Sequence, residues 1–231
     1  MAASPSLTGW RTGPVAALGT GEFGSRVAGF LADITDDGAV CVDDLHSAFR
    51  STAPLVVLAA WRPSPRLCEE ADQQSFLAGK PWLPVVMDHP VLRVGPLVRP
   101  PQAPCFRCFV RRQAQHDGEH WSSRMLYAEY DRDDRFGPRG YLPQHARVAA
   151  AVVAGVLNAW RTTNDGGAVV PVGEVREIRL SDQRLTTSRV VPCHDCQRCA
   201  PPGSAGPVGQ IQSLVTRFIS GHSAGSEVGH R

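Results

Sequence analysis

Two short cysteine clusters carry the plainest chemistry in this sequence: Pro104-Cys105-Phe106-Arg107-Cys108 and Pro192-Cys193-His194-Asp195-Cys196. Each is a C-x-x-C knuckle with a proline directly in front. Together they supply four thiolates, a complete tetrahedral shell for structural zinc at Zn–S distances of about 2.3 Å. The expected ligands are therefore Cys105, Cys108, Cys193 and Cys196. With 84 residues between Cys108 and Cys193, the separation is far longer than in a zinc ribbon, so the metal would clip together parts remote in sequence. The competing reading is two redox-active or merely buried cysteine pairs; thiols kept reduced in the cytosol favour metal. Cys199 extends the second cluster to C-x-x-C-x-x-C and reads either as a spare thiolate near the metal or, with Cys68, as a candidate thioester nucleophile.

A second constellation lies near the N-terminus. Pro14-Val15-Ala16-Ala17-Leu18 reads as a buried strand that runs into Gly19-Thr20-Gly21-Glu22-Phe23-Gly24, a G-x-G-x-x-G turn, and then into a helix whose Val27, Phe30 and Leu31 share a face. A second strand, Ala39-Val40-Cys41-Val42, ends in Asp43-Asp44. Strand, glycine turn, helix, strand and terminal acid is the order of a nucleotide-binding fold, with Gly19, Gly21, Gly24 and Asp43 as its candidate ligand residues. The alternative is that the glycines serve packing alone, since a tight strand-to-helix turn needs them whether or not a phosphate binds. Glu22 sets a carboxylate inside the turn, where it would repel phosphates. ATP binding is accordingly expected to be weak or absent, and the site vestigial.

The elements that must hold these residues follow in order. About ten residues separate Asp44 from the buried strand Leu55–Ala60, too few for a full crossover helix and strand, so one βα unit is missing. A helix that starts in Pro63-Ser64-Pro65-Arg66, with proline in its first turn, runs to about Ala78, followed by a strand Val85–Met87 and a hairpin arm Val91–Val98. Residues Arg111 to Gly140 are polar; Gly118 between His116 and His120 argues for a solvated loop over a metal-binding helix, and the run Asp131–Arg135 for plain surface. Gln144 to Trp160 is the most apolar helix, a core element or an association surface. Gly173–Leu180 and Leu185–Val191 alternate as an antiparallel hairpin that delivers the second knuckle. Three segments are expected: a leader over 1–12, one domain over 13–199, and a Pro/Gly/Ser-rich tail over 200–231 with a short amphipathic helix striped by Ile211, Leu214, Val215, Phe218 and Ile219.

Composition narrows the function. The 231 residues are 42% hydrophobic and 20% charged with a formal net charge of +2, globular values with no basic run that would speak for nucleic acid. Lys80, between Gly79 and Pro81, is the only lysine, which excludes a P-loop. The N-terminus lacks a signal peptide's basic start and apolar core, and the longest apolar run, Val148–Leu157, is too short to cross a bilayer. A cytoplasmic protein with no membrane partner is expected.

The glycine turn, the acid ending the second strand, Val94-Gly95-Pro96-Leu97-Val98-Arg99-Pro100 before the first knuckle, Gly140-Tyr141-Leu142-Pro143 before the apolar helix and the distant Val190-Val191-Pro192-Cys193 resemble the ThiF/MoeB activating-enzyme superfamily. More narrowly the chain is similar to the ThiF-like proteins of azoline-forming, or cyclodehydratase, peptide biosynthesis. That resemblance spans roughly Gly13 to Cys199. It implies an α/β fold with an incomplete Rossmann-like (ThiF-type) sheet, helices on both faces, an added antiparallel hairpin and a four-cysteine zinc clip. It implies a component that presents a ribosomal precursor peptide to a YcaO-type ATPase, as a homodimer or in a hetero-complex. The departures bear on chemistry. Adenylating members close the strand after the acidic pair with a magnesium-binding aspartate, where this chain has Ala59-Ala60-Trp61, and they carry an N-x-x-R element where it has Leu45 to Arg50. The relatives often begin with a winged-helix segment that binds the leader peptide, whereas this sequence starts at the first strand, so leader recognition is expected in a partner. A working adenylating enzyme acting on a peptide or sulfur-carrier C-terminus is the alternative; a nicotinamide oxidoreductase ranks below both.

Overall fold

The computed structural model describes residues 13–35, 37–118, 120–161, 172–194 and 196–199. The expected leader over 1–12 and the tail helix of Ile211 to Ile219 lie outside these residues. Seven strands form one mixed sheet: β1 (Val15–Thr20), β2 (Ala39–Val42), β3 (Val56–Ala60), β4 (Trp82–Asp88), β5 (Val91–Val94), β6 (Glu174–Arg179) and β7 (Leu185–Arg189). Their order is β2-β1-β3-β4-β5-β6-β7. The first four run parallel, and β4 to β7 pair antiparallel. Each helix has a reason in the sequence. α1 (Gly21–Ile34) begins inside the glycine turn and buries Phe23, Val27 and Leu31 at helical spacing. α3 (Pro65–Ala78) starts on Pro65 and ends at Gly79 in the left-handed conformation.

Alternation along the strands sorts the core into two faces. Val15, Val57, Ala59 and Val85 point to the side covered by α1 and by α6 (Pro143–Arg161), whose Ala149, Ala150, Val153 and Leu157 are fully buried. Ala16, Leu18, Val56 and Leu58 point to the other side, where α2 (Leu45–Arg50), α3 and α4 (Phe106–His116) pack together with the cysteines. Val148, Ala151 and Gly155 of α6 remain exposed, so that helix keeps one face uncovered among the described residues.

Among the described residues the ten-residue crossover after Asp44 holds one short helix, α2, and no further strand, and Asp44 caps that helix: its carboxylate accepts from the Ser47 amide at 2.8 Å and the Ser47 hydroxyl at 2.7 Å. Two expectations are corrected. The strand expected at Val85–Met87 starts at Trp82, where Val98 bridges to it and Pro84 occupies a ladder position. Above all, the polar stretch from Arg111 is helical: α4 ends at His116, and α5 (His120–Arg132) follows. Tyr127 and Tyr130 anchor α5, the first on Asp88 at 3.2 Å and the second on the Arg62 guanidinium, 5.1 Å from its ring centre. His116 and His120 fall on different helices and build no common face. Among the described residues no helix is long and apolar enough to cross a membrane.

Candidate functional site

The cysteine cluster forms where α4 meets the chain leaving β7. Cys105 is the N-cap residue of α4 and Cys108 lies in its first turn. On the far side, Cys196 and Cys199 bring their sulfurs to the same point, so that all four sulfurs lie within 4.8 Å of one another. Cys105 Sγ is 3.5 Å from Cys196 Sγ and 3.9 Å from Cys108 Sγ, and Cys108 Sγ is 3.5 Å from Cys199 Sγ. Four sulfurs each about 2.3 Å from one ion would sit about 3.8 Å apart, so the spacing fits a tetrahedral thiolate site. None of the four is in a disulfide.

Of the four expected ligands, Cys105, Cys108 and Cys196 lie together, and the fourth sulfur beside them is that of Cys199. Cys193 does not join the group. Its amide donates to Cys108 Sγ at 3.4 Å and its thiol lies 3.8 Å from the Cys108 carbonyl, so it braces the cluster from outside. Hydrogen bonds from Cys105 and Cys199, joined by that amide, draw the Cys108 thiol well below its ordinary range, the state in which sulfur ligates metal.

Charged side chains that sequence reasoning passed over place the two halves. Arg198, between Cys196 and Cys199, reaches into α3, with Glu69 at 2.6 Å and Asp72 at 3.3 Å. Glu69 also holds Arg107 of the first knuckle at 2.5 Å. Asp72 is fully buried, and its carboxylate accepts from the Phe106 amide at 3.1 Å, capping α4 in place of a Cys105 side-chain bond. Burial pushes the Asp72 carboxyl up to about 6. Arg112 donates to the carbonyls of Val191 and Pro192, both at 3.1 Å. The readable signal was Glu69 and Asp72 three apart on one helix face, and an arginine between two cysteines.

The glycine turn sits at the switch point of the sheet, where the chain leaves β1 for β2 on one side and returns to β3 on the other. Every glycine there is required by the chain's own packing. A Cβ on Gly24 would stand 2.3 Å from the Ala59 carbonyl oxygen, and one on Gly19 would stand 2.5 Å from the Gly24 carbonyl. Gly21, at φ +64, carries the Trp61 indole: a Cβ there would meet Trp61 Cδ1 at 2.3 Å. The ring stands beside Gly21, which itself stays exposed and lines the adjoining cleft together with Thr20. Arg62 and Arg139 lie over Trp61 at 4.9 Å and 5.8 Å, and Arg62 Nη1 donates to the Phe136 carbonyl at 2.9 Å. Glu22, in the first turn of α1, pairs with Arg26 at 2.9 Å on the surface and supplies the negative charge a helix start favours.

Around Trp61 opens a cleft of about 1000 Å³. The run from Asp131 to Arg135, expected as plain surface, lines it, with Asp131 accepting from the Arg66 amide at the start of α3. Asp43 is exposed at the end of β2, and Arg50 lies beside His46 at the far end of α2. Of the two thioester candidates, Cys199 is in the sulfur cluster and Cys68 is buried, its thiol pushed up to about 12 by burial. Such a thiol is a poor nucleophile at neutral pH.

No protein-family model matches the chain, and neither does any curated protein. Solved structures do match in shape. The heterocyclase TruD superimposes with a TM-score of 0.61 at 20% identity over 83% of this chain and 28% of its own. A heterocyclase in complex with substrate and cofactor gives 0.60 at 19% identity, over 84% of this chain and 26% of its own. E. coli MccB with AMPCPP and MccA gives 0.56 at 16% identity, over 83% of this chain and 67% of its own. The chain spans little more than a quarter of the two heterocyclases. At these identities the likeness is one of fold: the protein shares its mixed α/β architecture with a region of the heterocyclases and with most of MccB.

Proposed function

We propose that this chain is a ThiF-like component, deficient in adenylation, of an azoline- or thiazole-forming complex, and that it helps present a ribosomal precursor peptide to a YcaO-type ATPase. The single observation that carries the reading is that β3 ends in Ala59-Ala60 without a carboxylate for magnesium, in a fold shared with a heterocyclase. Trp61, next in the chain, stands beside Gly21 and narrows the mouth of the turn. On this reading the incomplete Rossmann-like sheet is a scaffold, Gly19, Gly21, Gly24 and Asp43 mark a vestigial nucleotide site, and Cys105, Cys108, Cys196 and Cys199 hold structural zinc. The metal supplies cross-linking between α4 and the segment after β7, and no reaction step.

The test is co-expression with neighbouring genes followed by affinity purification, with ATP–pyrophosphate exchange measured on the pure chain. Co-purification of a YcaO-type ATPase with negligible exchange is expected. Robust exchange with a peptide substrate would overturn the reading in favour of an adenylating enzyme. The uncovered face of α6 is the proposed assembly surface, as a homodimer or with the partner. Ala151→Arg should break the assembly and leave metal content intact, because a charge in a desolvated seam costs several kcal/mol, about 3–5 by analogy with unpaired buried charges.

A further inference from the structure

Among the described residues, β2 forms one edge of the sheet and pairs with β1 alone. Its sequence, Ala39-Val40-Cys41-Val42, is that of an interior parallel strand, apolar on both faces. Yet Val40 is 50% exposed, and Cys41 on the opposite face is exposed too. The cause is topological: the chain turns back through α2 past β1 to β3, so among the described residues no further βα unit lies outside β2. The opposite edge is built differently. After Leu185, β7 is Thr186-Thr187-Ser188-Arg189, polar and fully exposed, the composition with which sheet edges discourage pairing.

Charge brackets the apolar edge. Between Arg26 and Arg50 the sequence holds five acids, Asp33, Asp36, Asp37, Asp43 and Asp44, and no lysine or arginine. Asp37 lies just before β2, and Asp43 and Asp44 just after it. Two copies pairing antiparallel along this edge would set the acids before one strand against those after the other. That arrangement repels. A strand with basic ends is attracted at both.

We propose that the outer edge of β2 is a strand-addition site for an extended peptide whose apolar centre is flanked by lysine or arginine; this rests on the peptide-handling role proposed above for the source of that peptide. Main-chain hydrogen bonds to the open edge would give affinity, while Val40 and Cys41 meet alternate side chains and the aspartates select the ends.

The probe is a fluorescein-labelled octapeptide with the centre Val-Thr-Val-Ile and two arginines at each end, read by anisotropy on the full chain. The control carries glutamates at the ends. Expected are saturable binding weakened at least tenfold by the acidic ends, weakening with added salt, and at least tenfold loss in Cys41→Lys, whose exposed site leaves the circular dichroism unchanged. In wild type, the basic peptide should slow maleimide labelling of Cys41, read by peptide mapping, several-fold. Equal binding of both peptides, unaltered affinity in Cys41→Lys or unprotected Cys41 would overturn the proposal. So would a wild-type dimer in sedimentation that Cys41→Lys makes monomeric, which would assign the edge to a second copy. Co-purification with the ATPase, if observed alongside any of these failures, would leave the scaffold role standing and remove only the β2 site.

Discussion

At the cysteine clip, four side chains from two remote segments converge on one point and leave room between them for an ion. At the glycine turn, backbone packs against Gly19 and Gly24, and an indole stands beside Gly21, which stays exposed on the cleft. Both regions carry a motif that reads as a binding site. Only one of them keeps its donors facing a common centre. A motif reports the backbone shape a segment needs, and neighbouring side chains decide whether that shape is open to a ligand or used for packing. Trp61 comes from the end of a different strand and narrows the turn here.

The clip side of this comparison is broken most severely by ligand removal. Purified protein is expected to carry about one zinc per chain, and Cys105→Ser, Cys196→Ser or Cys199→Ser should lose it and unfold. Structural zinc contributes about 10–16 kcal/mol in small peptides, as much as the net stability of a whole domain. Cys193→Ser should keep its metal, since the contact to Cys108 comes from the backbone amide. Metal analysis with thermal unfolding decides it, and the reverse pattern for Cys193 and Cys199 would restore the ligand set expected from spacing alone.

On the turn side, Gly24→Ala should destabilise the fold by about 3 kcal/mol or more, because its Cβ would overlap the Ala59 carbonyl with only backbone to give way. Trp61→Ala should cost less, about 2 kcal/mol for a half-buried ring, and opens the turn. If ATP affinity measured by calorimetry rises in Trp61→Ala, the indole is the block. If it stays negligible, the loss of carboxylates at the end of β3 suffices.

The smallest effect concerns the pin behind the clip. The Asp72 carboxyl titrates at about 6 in the folded chain against 3.8 for an unburied aspartate. A raised carboxyl favours folding when protonated, a contribution present below the unfolded value and lost as pH rises through about 6. Relative to Asp72→Asn, wild type should therefore gain stability as pH falls from 7 to 5, by about 1 kcal/mol. Chemical denaturation of both proteins across that range gives the difference, and a flat or opposite trend would mean that Arg198 holds the carboxylate ionised.

What the sequence determined by itself are features that local chemistry enforces. The order strand, glycine turn, helix, strand follows from apolar runs and from glycines that no larger residue could replace. The start of α3 follows from Pro65 and its end from Gly79, and the β6–β7 hairpin from alternation. The gathering of the two knuckles was legible because paired C-x-x-C motifs are a metal-ligand pattern. The helical state of α4 and α5 was not legible. Its polar sequence and Gly118 argue against helix, and α4 and α5 stand because Asp72 caps one and Arg62 and Asp88 anchor aromatic rings of the other. The fourth sulfur was likewise a tertiary decision. Spacing permits Cys193 or Cys199, and the path of the chain, pinned by Arg112 before the knuckle and by Arg198 within it, brings Cys199 to the centre. Local propensity acts over a few residues, whereas these choices depend on partners scores of residues away that meet only once the sheet has formed.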